Sequence, residues 1–124
     1  MAESHKDAAL IFLRLIAKGK VSEAYEKYVG PGFRHHNPHF HGDAASLKEA
    51  MAQSAVKHPD KVLGIHSAIQ EGERVAVFSH MRQNPEDRGG AVVHLFRFEN
   101  DRIAEFWDVG QAVPENAVNE YGMF

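Results

Sequence analysis

The stretch Ala91–Gln111, AVVHLFRFENDRIAEFWDVGQ, decides how the chain folds. It reads as two long strands meeting at Asn100-Asp101. Val92, Val93, Leu95, Phe96 and Phe98 fill the first arm, and Ile103, Phe106, Trp107 and Val109 the second. β-Branched and aromatic residues at this density favour strand over helix. Asn-Asp tolerates the left-handed backbone of a tight hairpin turn. Two polar groups interrupt the apolar hairpin, His94 and Asp108. An imidazole and a carboxyl group in a greasy sheet need a partner or a function.

Outward from the hairpin, the 124 residues read as a single domain, with a core at about 8–112 and a tail at 113–124. Ser4 caps a first helix that runs to about Lys18, with Ala8, Ile11, Phe12, Leu15 and Ile16 on one face. Val21, Ala24, Tyr25 and Tyr28 repeat the pattern until Gly30-Pro31-Gly32. Phe33–His36 is a short strand followed by the polar loop Asn37–Gly42. Asp43 or Ser46 opens a third helix, with Leu47, Ala50, Met51 and Ser54 inward. From Lys61 the period changes to that of strands: Val62–Gln70, a turn at Glu71–Glu73, then Arg74–Arg82. Helices first and strands second predict an α+β fold, about three N-terminal helices packed on a curved, mostly antiparallel sheet. Both sheet faces are apolar: Val75 and Val77 oppose Ala76 and Phe78, while Trp107 and Val109 oppose Phe106. Short helices cover one face only, so the other predicts a homodimer formed sheet to sheet.

Composition narrows the function. There are no cysteines, which excludes disulfides and thiolate metal sites and fits a reducing, cytoplasmic compartment. The net charge is −3, the basic residues are scattered, and no basic stripe is present, so nucleic acid is not an expected partner. The apolar run Ala8–Ala17 is broken by Arg14 and too short to span a bilayer. It lacks the flanks of a signal peptide, and no membrane association is expected. No flavin, nicotinamide or P-loop fingerprint occurs, so no cofactor is expected. The only HxH, His39-Phe40-His41, lies in a loop and there is no HExxH helix. A set of His36, His80, His94 and Asp108 would suit zinc or iron, yet no metal is expected.

With these residues in view, the chain resembles the SnoaL-like branch of the NTF2-like superfamily. The resemblance rests on His35-His36-Asn37-Pro38 after two helices, on Val77-Phe78-Ser79-His80, and on Phe96-Arg97-Phe98-Glu99-Asn100 leading into Glu105-Phe106-Trp107-Asp108. It covers about Leu10 to Gln111, and it is carried by the combination rather than by one piece. The resemblance implies a cystatin/NTF2-like cone, a curved sheet around a deep pocket, and a dimer through the outer sheet face. From characterised polyketide cyclases it implies an acid–base carboxylate at the Trp-Asp position, here Asp108, with the histidine fourteen positions earlier, here His94, as companion. The sequence is also similar to a group of predicted aldol-condensation enzymes, with departures. Phe78 and Phe106 stand where that pattern has histidines, His94 stands where it has an aspartate, and Asp101 replaces a turn glycine.

Asp108 is thus the leading candidate, desolvated by Phe78, Phe96 and Phe106 so that its pKa rises toward an acid–base value. The competing role is a structural carboxylate bonded to backbone amides or to Arg97. His94 would orient Asp108, share its proton or hydrogen-bond a carbonyl oxygen. His80, at a strand end on the face of Ala76 and Phe78, would complete the polar patch, and His36 and Asn37 would line the pocket mouth. His35 should point away from His36. A plain two-residue turn would place His94 opposite Trp107 and across the sheet from Asp108; a three-residue loop or one β-bulge would bring both to one face. The expected function is cofactor-free acid–base catalysis on a small, mostly apolar carbonyl compound, by aldol-type cyclisation, isomerisation or a related proton transfer. The alternative is a non-catalytic module of the same fold that binds a small molecule or dimerises.

Overall fold

A computed structural model of the chain describes residues 3–124. In chain order the elements are α1 (His5–Ala17), α2 (Val21–Tyr28), β1 (Val29–His35), α3 (Ala44–Lys57), β2 (Val62–Glu71), β3 (Arg74–Arg82), β4 (Gly90–Glu99) and β5 (Arg102–Ala112). The five strands form one sheet in the order β1-β5-β4-β3-β2. All neighbours are antiparallel except β1, which runs parallel to β5. The expected α+β architecture is the one observed. No described helix is long and apolar enough to cross a membrane.

The local chemistry follows the sequence. Ser4 Oγ accepts from the Asp7 backbone N–H at the start of α1, and Asp43, rather than Ser46, caps α3 by accepting from Ser46 N–H. α2 ends before Gly30-Pro31-Gly32 as expected, but β1 already starts at Val29 rather than Phe33 and takes in these residues, and its pairing with β5 is irregular between Val29 and Arg34. Asn100 and Asp101 both have positive φ, 53° and 62°. This is the backbone of a two-residue turn whose twist matches the flanking strands. His5 fastens the turn to α1: its ring stacks on Phe98 at 4.4 Å and its Nε2 bonds Asp101 Oδ1 at 3.0 Å.

The helices cover one face of the sheet. Phe12, Leu13 and Ile16 of α1 and Tyr25 and Tyr28 of α2 pack on Val75, Val77, Phe96, Phe98, Ile103 and Phe106. Phe12 meets Phe96 and Phe106 edge-on at 6.0 and 6.3 Å, the arrangement aromatic quadrupoles favour. On α3 only Leu47 of the expected inner row is buried.

Face assignment on β3 departs from expectation. His94 pairs with Val77, so Val75, Val77, Ser79 and Met81 share its face, toward the helices. Phe78 pairs with Val93, and Phe78 and His80 therefore lie on the other side of the sheet. There the Phe124 ring stacks on His80 at 4.3 Å, on His66 at 4.9 Å and on Phe78 at 5.7 Å. The end of the tail thus packs on the outer face.

Candidate active site

The hairpin opens with Glu99 opposite Arg102 and Phe98 opposite Ile103; the next pair is Arg97 with Glu105. Ala104 has no partner, and this one-residue bulge changes every pair beyond it. His94 comes directly opposite Asp108, not Trp107. Both side chains stand on the helix-covered face and line a broad, open hollow of about 690 Å³. Its other walls are His36–His39 from the loop after β1, Met81, Val92, Val109 and Gly110. Strand β1 ends at His35 while β5 continues to Ala112, so the hollow sits where β5 outruns its neighbour.

Asp108 is half-buried, and its Oδ2 accepts from Asn37 Nδ2–H at 3.0 Å. The orientation of that amide is fixed, because Asn37 Oδ1 accepts from the His39 backbone N–H at 2.9 Å. Asn37 is held in turn by its own N–H, which donates to His35 Nδ1 at 3.1 Å. His35 then carries its proton on Nε2 and donates to the His41 carbonyl at 2.6 Å. It is a buried structural histidine that points opposite to His36. Asn37 therefore contacts the carboxylate itself rather than only edging a pocket mouth.

His94 is buried, 8% exposed, with its ring stacked on Phe106 at 5.5 Å. Burial pushes its pKa from 6.5 down to about 4, against the pull of the Asp108 charge. The imidazole is neutral at neutral pH. Its Nδ1 is enclosed and unpartnered, as is Ser79 Oγ; among the described residues these are the two such side-chain atoms.

The other expected site residues are not brought here. His80 and Phe78 are across the sheet, because both faces of β3 are apolar and alternation alone does not say which one the helices cover. Phe96 is fully buried beneath the site, and Phe106 lies behind His94; neither lines the hollow. His36 reaches the rim, but its Nε2–H donates to Glu105 Oε2 at 2.6 Å and its ring stacks on Trp107 at 4.8 Å. Arg97 serves Glu105 and Glu99 on the outer face, not Asp108. Among the described residues no group of three or more His, Asp or Glu is placed to hold a metal ion.

Glu105, in the sequence only the first residue of a motif, has a structural role. Among the described residues it is the one buried carboxylate, and Arg34, His36 and Arg97 converge on it. The Arg34 guanidinium first, then His36 and Arg97, hold its carboxyl down to about 2. The cluster fixes His36, and through the next residue it anchors the loop that carries Asn37. Replacing Glu105 by Gln is expected to cost about 1.5–3 kcal/mol in urea unfolding, the range for hydrogen bonds to charged groups. An unchanged midpoint would show the cluster to be energetically idle.

The model of the SnoaL-like domain family matches residues 11–106. No functionally curated protein matches the sequence. Among solved structures, AclR of Streptomyces galilaeus, described as a hydroxylase candidate, has a TM-score of 0.73 at 20% identity, over 86% of this chain and 88% of its own. A SnoaL-like polyketide cyclase of Agrobacterium tumefaciens has a TM-score of 0.68 at 16% identity, over 89% and 93%. An NTF2-like protein of unknown function from Cytophaga hutchinsonii has a TM-score of 0.71 at 16% identity, over 90% and 93%. At these identities the likeness is one of fold, the NTF2-like, cystatin type expected from the sequence.

Proposed function

The chain belongs to the SnoaL-like domain family, and from that premise we propose that it is a cofactor-free acid–base enzyme acting on a small, uncharged, mostly apolar carbonyl compound. The observation that carries this reading is the pairing of Asp108 with His94 across two strands at the wall of one hollow. Asp108 removes a proton beside the carbonyl group. Asn37 occupies Oδ2, which leaves Oδ1 as the reacting oxygen. His94, neutral because it is buried, donates a hydrogen bond to the oxygen on which enolate charge develops. The enolate then collapses by aldol-type carbon–carbon bond formation or by reprotonation at another carbon. No Lys or Arg lines the hollow, and Asp108 is its one acidic wall residue. Anionic substrates would meet repulsion there with no compensating cation. The volume suits a molecule of drug-like size.

The reading is tested by deuterium exchange. A panel of neutral β-dicarbonyl compounds in D₂O is expected to lose α-protons faster with the protein than without it, as read by NMR. Ligand shifts without exchange would overturn the enzymatic reading. They would support the second one, a binding module of the same fold, which the openness of the hollow favours, since catalytic sites gain from excluding water.

The outer face is proposed as a homodimer surface. Val93 and Val109, opposed on β4 and β5, are 40% and 67% exposed, and Ile69 on β2 is 68% exposed. These flank the half-buried Leu95 and Trp107. Light scattering at micromolar concentration is expected to give twice the chain mass, and Val93→Lys the single mass with unchanged circular dichroism. A wild-type monomer would sink the dimer. The absence of cysteine suits the proposed cytoplasmic setting.

A further inference from the structure

Among the described residues, two buried side-chain polar atoms have no partner, His94 Nδ1 and Ser79 Oγ. Such atoms are rare in native proteins, because an unmatched buried donor or acceptor has given up its water and gained no bond in return. Their placement relates them. Ser79 and His94 lie on adjacent strands and the same face. Val77 is opposite His94, and Ser79 is the next residue of β3 on that face. This is one diagonal step across an antiparallel pair, about 7–8 Å between backbones and less between side chains, within reach of a ring.

No other sheet neighbour of Ser79 carries a polar side chain. Ser79 is flanked along β3 by Val77 and Met81 and faces Val92 on β4 and Ile65 on β2. The same-face neighbours of His94 are Val92, Phe96, Val77, Phe106 and Asp108. Nδ1 is the enclosed nitrogen, which leaves Nε2 to the hollow that His94 and Asp108 both line. Within the sheet, that leaves Ser79 to serve Nδ1 and His94 to serve Ser79.

We propose that Ser79 is a positioning residue for His94: its hydroxyl serves Nδ1 through one buried water, or directly after a turn about its Cα–Cβ bond, and fixes the proton on Nε2. Which imidazole nitrogen bears the proton is set by the bond the other makes. The nearby Asp108 carboxylate also favours N–H on the side facing it. Ser79 thereby makes His94 a hydrogen-bond donor into the hollow, and not an acceptor. The consequence for turnover rests on the acid–base reading above; the tautomer itself does not.

The test is long-range ¹H–¹⁵N NMR of the histidine rings at neutral pH. Wild-type His94 is expected to show the Nε2–H tautomer, with Nδ1 shifted upfield by an accepted hydrogen bond. In Ser79→Ala that upfield shift is lost and tautomers mix, and Ser79→Thr restores the wild-type pattern. Ser79→Cys, close in volume and a poor donor, should behave as Ser79→Ala; it serves as the probe if the alanine variant fails to fold. A wild-type Nδ1–H tautomer would overturn the proposal, as would an identical His94 spectrum in the folded alanine and cysteine variants. If the tautomer responds while the protein accelerates no α-proton exchange, the Ser79 contact stands and the enzymatic reading falls.

Discussion

Asp108→Asn is expected to reduce protein-catalysed α-proton exchange by roughly 10²- to 10⁴-fold, the range for loss of a positioned general base. The substitution keeps shape and volume and removes only basicity. Position 108 is half-buried at a rim, and an amide there can turn its oxygen toward the Asn37 amide, so stability should change little. Substrate affinity should be nearly unchanged and the loss confined to kcat, because the carboxylate acts on the moving proton rather than on the bound ground state. Asn37→Ala should mimic only a fraction of the effect, since it frees the carboxylate without abolishing it. If Asp108→Asn exchanged protons at the wild-type rate, the carboxylate would be structural and the assignment wrong.

The second large effect is on stability against acid. His94 has a folded pKa of about 4 and an ordinary value of 6.5. The unfolded chain therefore binds more protons between these values, and stability falls as pH drops through that window. The total is on the order of 3 kcal/mol at 1.36 kcal/mol per pKa unit. It is fully present above about pH 6.5 and lost by about pH 4. Glu105 titrates in a separate window, from 4.5 down to about 2, in which its ion pairs are lost as it takes up a proton. Denaturant melts at a series of pH values should resolve the two. His94→Gln should flatten the upper slope and leave the lower one; Glu105→Gln should do the reverse. An upper slope that survives in His94→Gln would place the titrating group elsewhere.

Much of the fold was legible because local and global signals agree. The caps, the period change near Lys61 and the Asn100-Asp101 turn each point to the element observed. The site was legible only in part. Asp108 and His94 stand out as polar breaks in an apolar hairpin, but whether they share a face turns on Ala104. Alanine is small and conformationally undemanding, and nothing about it marks a bulge. His80 and Phe78 were misplaced for a different reason. A large aromatic normally marks the core side, but here the smaller Val75, Val77 and Ser79 face the helices and Phe78 is covered by Phe124. Ser79 and Glu105 stand in motifs the sequence offers, but nothing there gives either a role, because their significance comes from what surrounds them in space.

The unpaired Ala104 carries a further implication for how such a hairpin tolerates change in length. Between turn and site the count of residues has a parity, and an odd insertion or deletion there exchanges the two sides of the remaining strand. Evolution can move the irregularity toward or away from Asn100-Asp101, or absorb it into a longer turn, but only by changes that compensate in number. Single-codon loss in this arm is therefore a different class of event from substitution: it turns the chemistry inside out while His94 and Asp108 both remain in the chain.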